Sequence, residues 1–139
     1  MKVYLDNGAY MPTKAHTYDA GYDLKSRDYK IIPPRGSATF DTGVHIKLPV
    51  GTVGFLKSKS GLNVKHGLLS TGVIDSGYTG SIVVKLYNMG DIEYVVNIGD
   101  KITQLVILPI CMFELDETNN LEDLKNGDRL NDGFGSSGK

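Results

Sequence analysis

Glycine and proline cut this chain into short pieces. Seventeen glycines and five prolines are spread along its 139 residues, and β-branched and aromatic residues fill the intervals between them. Proline lacks an amide hydrogen and glycine loses the most freedom in a regular element, so both collect at turns. Short runs of β-branched and aromatic residues between such breaks read as strands, and the chain reads as all-β. Side-chain alternation agrees. In "VHIKLPV" Val44, Ile46 and Leu48 share one face, which leaves His45 and Lys47 on the other and His45 in solvent. In "SIVVKLYN" Ile82, Val84 and Leu86 lie opposite Val83, Lys85 and Tyr87.

Further strands are expected near 2–5, 29–32, 37–42, 52–56, 93–98 and 101–113. No segment sustains a 3.6-residue apolar spacing, although "SGLNVKHG" suits a single helical turn. Many short strands with close turn signals suggest a sandwich, a jelly roll or a barrel. The run "KITQLVILPICMF" is apolar on both faces, as expected of a strand that another subunit covers.

The length suits one domain with one core. A formal charge of −1 with scattered Lys and Arg gives no electrostatic footprint for nucleic acid or an anionic membrane. The single cysteine, Cys111, excludes an internal disulfide framework and reads as a small buried thiol in a reducing, cytoplasmic setting. Residues 1–20 carry no continuous apolar segment, so neither a signal peptide nor a membrane span is expected. After Phe113 the composition turns acidic and polar and ends in "GFGSSGK", the signature of a mobile end. Arg129 and Phe134 are unusual in a spacer.

Five segments carry chemistry: "DAGYDL" (19–24), "SKSGL" (58–62), "GVIDSGYTGSIVVKLYN" (72–88), "GDKITQL" (99–105) and "RLNDGFGSSG" (129–138). In this order and spacing they resemble the five motifs of the trimeric dUTP pyrophosphatase (dUTPase) family, over nearly the whole chain. The resemblance implies a jelly-roll-like distorted β-barrel over residues 1–128 and a flexible C-terminal active-site lid over 129–139. It also implies a homotrimer with shared active sites, the lid coming from a different subunit than the Asp75 hairpin. The implied activity is Mg²⁺-dependent hydrolysis of dUTP to dUMP and pyrophosphate.

Asp75 alone reads as a turn cap. By resemblance it is the catalytic base that orients water toward the α-phosphorus, a role that needs an ionised carboxylate, hydrogen-bond donors around it and no buried acidic neighbour. Tyr78 alone reads as a half-buried aromatic with its hydroxyl in solvent. By resemblance its ring lies beneath the deoxyribose and excludes a 2′-hydroxyl, while backbone near Gly72, Val73, Ile74 and Val83 reads the uracil edge. Rejection through unpaired buried polar groups can reach roughly 10⁴-fold.

The triphosphate needs cations, and no Walker-type loop is present. By resemblance Ser60 and the Gly61 backbone hold phosphate oxygens, with Lys59 where the family has arginine, a point charge in place of a planar fork. Gln104 would reach the phosphates, and Asp23 would act on Mg²⁺ through water. Arg129 would meet the γ-phosphate and Phe134 would stack on uracil, flanked by Gly135 and Ser136. Leu130 and Asp132 replace two glycines of the family pattern, and His66 matches a family residue without a role to carry over. Two alternatives stay open on sequence: a dCTP deaminase-like enzyme of the same fold, and a non-catalytic nucleotide-sensing or protein-binding module. The motifs leave room for a second, regulatory protein partner.

Overall fold

The structure is a computed structural model that describes residues 1–125. Among the described residues ten strands and little helix occur, in the order β1 (Lys2–Leu5), β2 (Gly21–Lys25), β3 (Lys30–Ile32), β4 (Ser37–Asp41), β5 (Val44–Lys47), β6 (Thr52–Lys57), α1 (Ser60–His66), β7 (Leu68–Asp75), β8 (Val83–Asn88), β9 (Tyr94–Val96) and β10 (Lys101–Pro109). Six strands form one curled sheet in the order β2-β10-β6-β7-β8-β4, and the pairs β1-β5 and β3-β9 complete the half-barrel. All pairings within it are antiparallel. The fold is the jelly-roll-like barrel expected from the motifs.

The core follows the alternation. Val44, Ile46 and Leu48 are buried, as are Ile82, Val84 and Leu86, and they pack with Leu24, Ile32, Phe40, Leu56, Leu68 and Leu105. Gly54 sits opposite Ile74 on the inner face, where an added Cβ would lie 2.8 Å from Leu105 Cδ1. The sheet layer is that tightly closed over the core.

Several expectations are corrected. Residues 21–25, which lie outside the strands expected from sequence, form β2 because their partner lies on β10, far away in sequence. The segment from Ser60 is a seven-residue helix of about two turns, ended by Gly67 at φ 64, a left-handed conformation that glycine adopts without strain. β10 stops at Pro109 and not near 113, and Cys111 beyond it is exposed, not buried. His45 is not free in solvent, since its ring nitrogens face Thr79 and Asp6. Among the described residues no helix is long and apolar enough to cross a membrane.

Candidate active site

Two neighbouring strands of the sheet, β7 and β8, build the first half of the site. Along β7, Leu68, Ser70 and Ile74 point inward, while Thr71, Val73 and Asp75 point outward. Asp75 is the last residue of the strand, exposed, and in register with Val53. Among the described residues nothing donates a hydrogen bond to its carboxylate, so the donors expected around it are not supplied there. Its backbone carbonyl accepts from the Tyr78 amide at 3.0 Å, which starts the turn into β8.

Tyr78 stands 45% exposed, but its hydroxyl is not loose in solvent, because it donates to the Ser81 carbonyl at 2.8 Å. Gly80 makes room for this ring. A Cβ at Gly80 would lie 2.4 Å from the Tyr78 hydroxyl oxygen and 2.6 Å from Cζ. Val73, Ile74, Asp75, Tyr78 and Val83 together line one hollow of about 250 Å³. Gly72, the other residue assigned to this edge, keeps Leu56 Cδ1 about 3.0 Å from where its Cβ would be.

A second hollow, of about 450 Å³, opens where β6, α1, β7 and β10 meet and is lined by Ser60, Gln104, Lys57, Ser58, Asn63 and Thr71 among others. Pairing explains the grouping. Asp23 is in register with Gln104, Gln104 with Lys57, and Lys57 with Thr71, so four strands place one polar row on the outward face of the sheet. The Gln104 side chain donates to the Ser58 carbonyl at 3.1 Å. It lies across Gly21, where a Cβ would come within 2.6 Å of Gln104 Oε1. Below the row, buried Ser70 and Thr103 share a 2.6 Å hydroxyl contact, Thr103 donates to the Lys57 carbonyl at 3.0 Å, and Ser58 accepts from the Ser70 amide at 2.9 Å. This network fixes the bend from β6 into α1 that presents Lys59, Ser60 and Gly61.

Lys59 is the N-cap of α1, its carbonyl accepting the Asn63 amide at 2.9 Å, while its side chain makes no capping bond and reaches instead to Asp23, pairing with Oδ1 as Lys101 Nζ lies 2.8 Å from Oδ2. Asp23 is 6% exposed. Burial by itself would raise its carboxyl pKa, but the hydrogen bonds and charges of Lys101 and Lys59 outweigh it and hold the group below the ordinary 3.8.

The structure thus gathers Val73, Ile74, Asp75, Tyr78 and Val83 at one hollow and Ser60 and Gln104 at another, with Lys59 and Asp23 joined beside the second; neither of these two hollows contains both sets. Arg129, Phe134, Gly135 and Ser136 lie outside the described residues. Sequence reasoning missed Lys57, a cation at the second hollow, and Lys101. Extending the strand alternation to the end of β6 would have placed Lys57 outward, two residues before Lys59.

Comparison with known proteins decides the family. The dUTPase family model matches residues 7–138. The chain belongs to the dUTPase family. This dUTPase-family chain is 40% identical over 141 residues to the deoxyuridine 5'-triphosphate nucleotidohydrolase of Candida albicans, a match covering 100% of the chain and 88% of that protein. It is 41% identical over 138 residues to the protein of the same name in Clostridium tetani, with 97% and 93% covered. Among solved structures, the Staphylococcus bacteriophage 80alpha dUTPase with dUPNHPP superposes with a TM-score of 0.90 at 32% identity, covering 99% of this chain and 98% of that one. A mutant dUTPase from phage phi11 of S. aureus, whose structure concerns the coordination of a structural Mg(II) ion, matches with a TM-score of 0.80 at 32% identity, covering 87% and 97%.

Proposed function

We propose that the chain is a dUTP diphosphatase that converts dUTP and water to dUMP and pyrophosphate by in-line attack at the α-phosphorus. The observation that carries the reading is the hollow in which Asp75, Tyr78 and Val83 meet at one end of the β7–β8 hairpin. Asp75 is an exposed carboxylate at its rim, free among the described residues to accept a proton from a water. Tyr78, locked by Ser81 and Gly80, presents a ring face to a sugar, and the β7 and β8 backbone offers an edge to a pyrimidine. Lys59, Ser60, Gly61 and Gln104 hold phosphate oxygens, with Lys57 adding a positive charge and Arg129 meeting the γ-phosphate. Phe134 closes over the base, with Gly135 and Ser136 in the same lid. Positioning and charge neutralisation then supply most of the rate.

Mg²⁺ fits this donor set only in the outer shell. Among the described residues no three His, Cys, Asp or Glu side chains converge on one point, so there is no all-protein cage. A metal that keeps several waters and binds through substrate phosphates needs none. The two lysines leave acceptor sites free on the Asp23 carboxylate, where a metal-bound water can hydrogen-bond. When bound, the ion neutralises phosphate charge.

We further propose a homotrimer with shared sites. Val73 on β7, Leu108 on β10, and Ile110 and Met112 just beyond the end of β10 are exposed, an apolar set suited to burial against a second copy. The single thiol and the lack of a disulfide pair are consistent with a reducing cytoplasm. The deciding experiment is a panel of dUTP, UTP, dTTP and dCTP with Mg²⁺ and pyrophosphate detection. Release of dUMP and pyrophosphate from dUTP alone is expected. Conversion of dCTP to dUTP would establish the deaminase reading, and binding of dUTP without turnover the sensing module.

A further inference from the structure

The turn that carries Tyr78 is held at two points by side chains that line neither hollow. His45, on β5, presents Nδ1 to the Thr79 carbonyl at 2.8 Å. A carbonyl oxygen only accepts, so Nδ1 carries the proton and donates. Two residues on, the Ser81 hydroxyl donates to Asp41 Oδ1 at the end of β4, and the same oxygen accepts the Gly43 amide at 3.0 Å. The other Asp41 oxygen is fixed by Arg27 Nη2 at 3.0 Å. These contacts fall on either side of Gly80, the residue whose missing Cβ admits the Tyr78 ring, and Ser81 also supplies the carbonyl that takes the Tyr78 hydroxyl.

His45 is itself fixed. Its Nε2 is shut off from water and has Asp6 Oδ1 at 3.3 Å, at ion-pair distance but not in line for a hydrogen bond. The Tyr4 ring packs edge-on against the imidazole with centroids 5.4 Å apart. The ring therefore has one rotamer and one tautomer in which it reaches Thr79, and that geometry is passed to the turn through a backbone atom.

We infer that His45 and Asp41 are positioning residues for nucleotide selection: together they pin Thr79 and Ser81 and so fix the height and tilt of the Tyr78 ring against the sugar. This rests on the dUTP reading above. Neither residue touches the hollow of Val73, Asp75 and Tyr78, so their loss moves the wall of the sugar site without removing any group from it. A ring that is free to sink tolerates a 2′-hydroxyl. The consequence is a loss of discrimination between deoxyribose and ribose, carried mainly by KM, and not an equal loss on all substrates.

The test compares His45→Leu, His45→Asn and Ser81→Ala in the full chain. Leucine fills the space of the imidazole without a donor. Asparagine keeps an amide nitrogen near the place of Nδ1. Ser81→Ala removes the hydroxyl held by Asp41 and keeps the carbonyl used by Tyr78. The ratio of kcat/KM for dUTP over UTP is expected to fall by about tenfold in His45→Leu and by several-fold in Ser81→Ala, the scale of one hydrogen bond each. In His45→Asn it should stay within about twofold of the parent. An unchanged ratio in the two disruptive variants, or a fall in kcat shared equally by dUTP and UTP, overturns the inference.

A second readout is independent of turnover. Nuclear Overhauser contacts between the Tyr78 ring and the Gly80 α-protons should be present in the parent and in His45→Asn and weakened in His45→Leu. Should the parent fail to hydrolyse dUTP, the functional reading falls while these contacts still decide the clamp; contacts retained in His45→Leu reject it. If His45→Leu does not fold, Ser81→Ala alone carries both readouts.

Discussion

Lys101 Nζ lies 2.8 Å from Asp23 Oδ2 while Lys59 pairs with the other oxygen of the same carboxylate, so one nearly buried acid joins β2, β10 and the start of α1. The residues come from three distant parts of the chain. Their meeting fixes where Lys59 and Ser60 stand relative to Gln104, and hence the shape of the hollow that would receive phosphates.

Replacing Asp23 by Asn should leave two ammonium groups crowded together without a counter-charge. Breaking a buried pair costs about 3–5 kcal/mol; because both lysines are partly solvated, about 1–3 kcal/mol is expected. The pH dependence has a definite sign. A carboxyl held below 3.8 in the folded chain contributes stability that is present above that value and is lost as pH falls through the lowered one. Thermal melts between pH 5 and about 2 should show this loss in the parent and a flatter curve in Asp23→Asn.

Asp75→Asn should reduce kcat for dUTP by about 10²–10⁴-fold, the range of general-base catalysis. Its carboxylate receives no hydrogen bond among the described residues, so Tm should move by no more than a surface change of about 0.5 kcal/mol implies. Pyrophosphate release and calorimetry on the same preparation check both halves. Hydrolysis at the parental rate would remove Asp75 from the mechanism.

Gly80→Ala should affect selectivity more than stability. The new methyl would meet the far end of the Tyr78 side chain, at 2.4 Å from its hydroxyl oxygen, and that ring can swing away where a backbone atom could not. The expected result is a raised KM for dUTP with a stability loss of about 1 kcal/mol. A crystal structure with a non-hydrolysable dUTP analogue would show the displaced ring.

His45 should give the melting temperature a neutral-range pH dependence. The Thr79 carbonyl is the largest influence and raises its pKa above 6.5; burial, the next largest, opposes it, and Asp6 and Asp41 add further upward pull. Arg27 and the Tyr4 ring are the other groups packed around this cluster. A raised folded pKa means that the stabilisation is complete below 6.5 and is lost as pH rises through the folded value. His45→Asn keeps a donor for Thr79 but cannot take the charge, so its Tm should be flat over the same window.

Removal of residues 129–139 should leave the barrel folded and assembled while abolishing most turnover. Every buried core residue of the described chain lies between Leu24 and Leu105, upstream of the cut. Size-exclusion chromatography and steady-state kinetics on the truncated chain give the two readings. Loss of assembly would make the tail structural.

Sequence alone determined the strand-rich class, the inward faces of β5 and β8, the turn that begins at Asp75 and the motif residues that mark the family. These follow from local rules, because side-chain alternation and the conformational needs of glycine act over a few neighbouring positions. Tertiary structure decided that residues 21–25 are a strand, that Lys59 and Lys101 meet on Asp23, that Lys57 borders the second hollow and that His45 reaches the Tyr78 turn instead of solvent. Each of these depends on which strands become neighbours, and that choice is made by burying a shared core face across segments dozens of residues apart. A polar residue on the outer face carries no local mark of the partner that such pairing will bring to it.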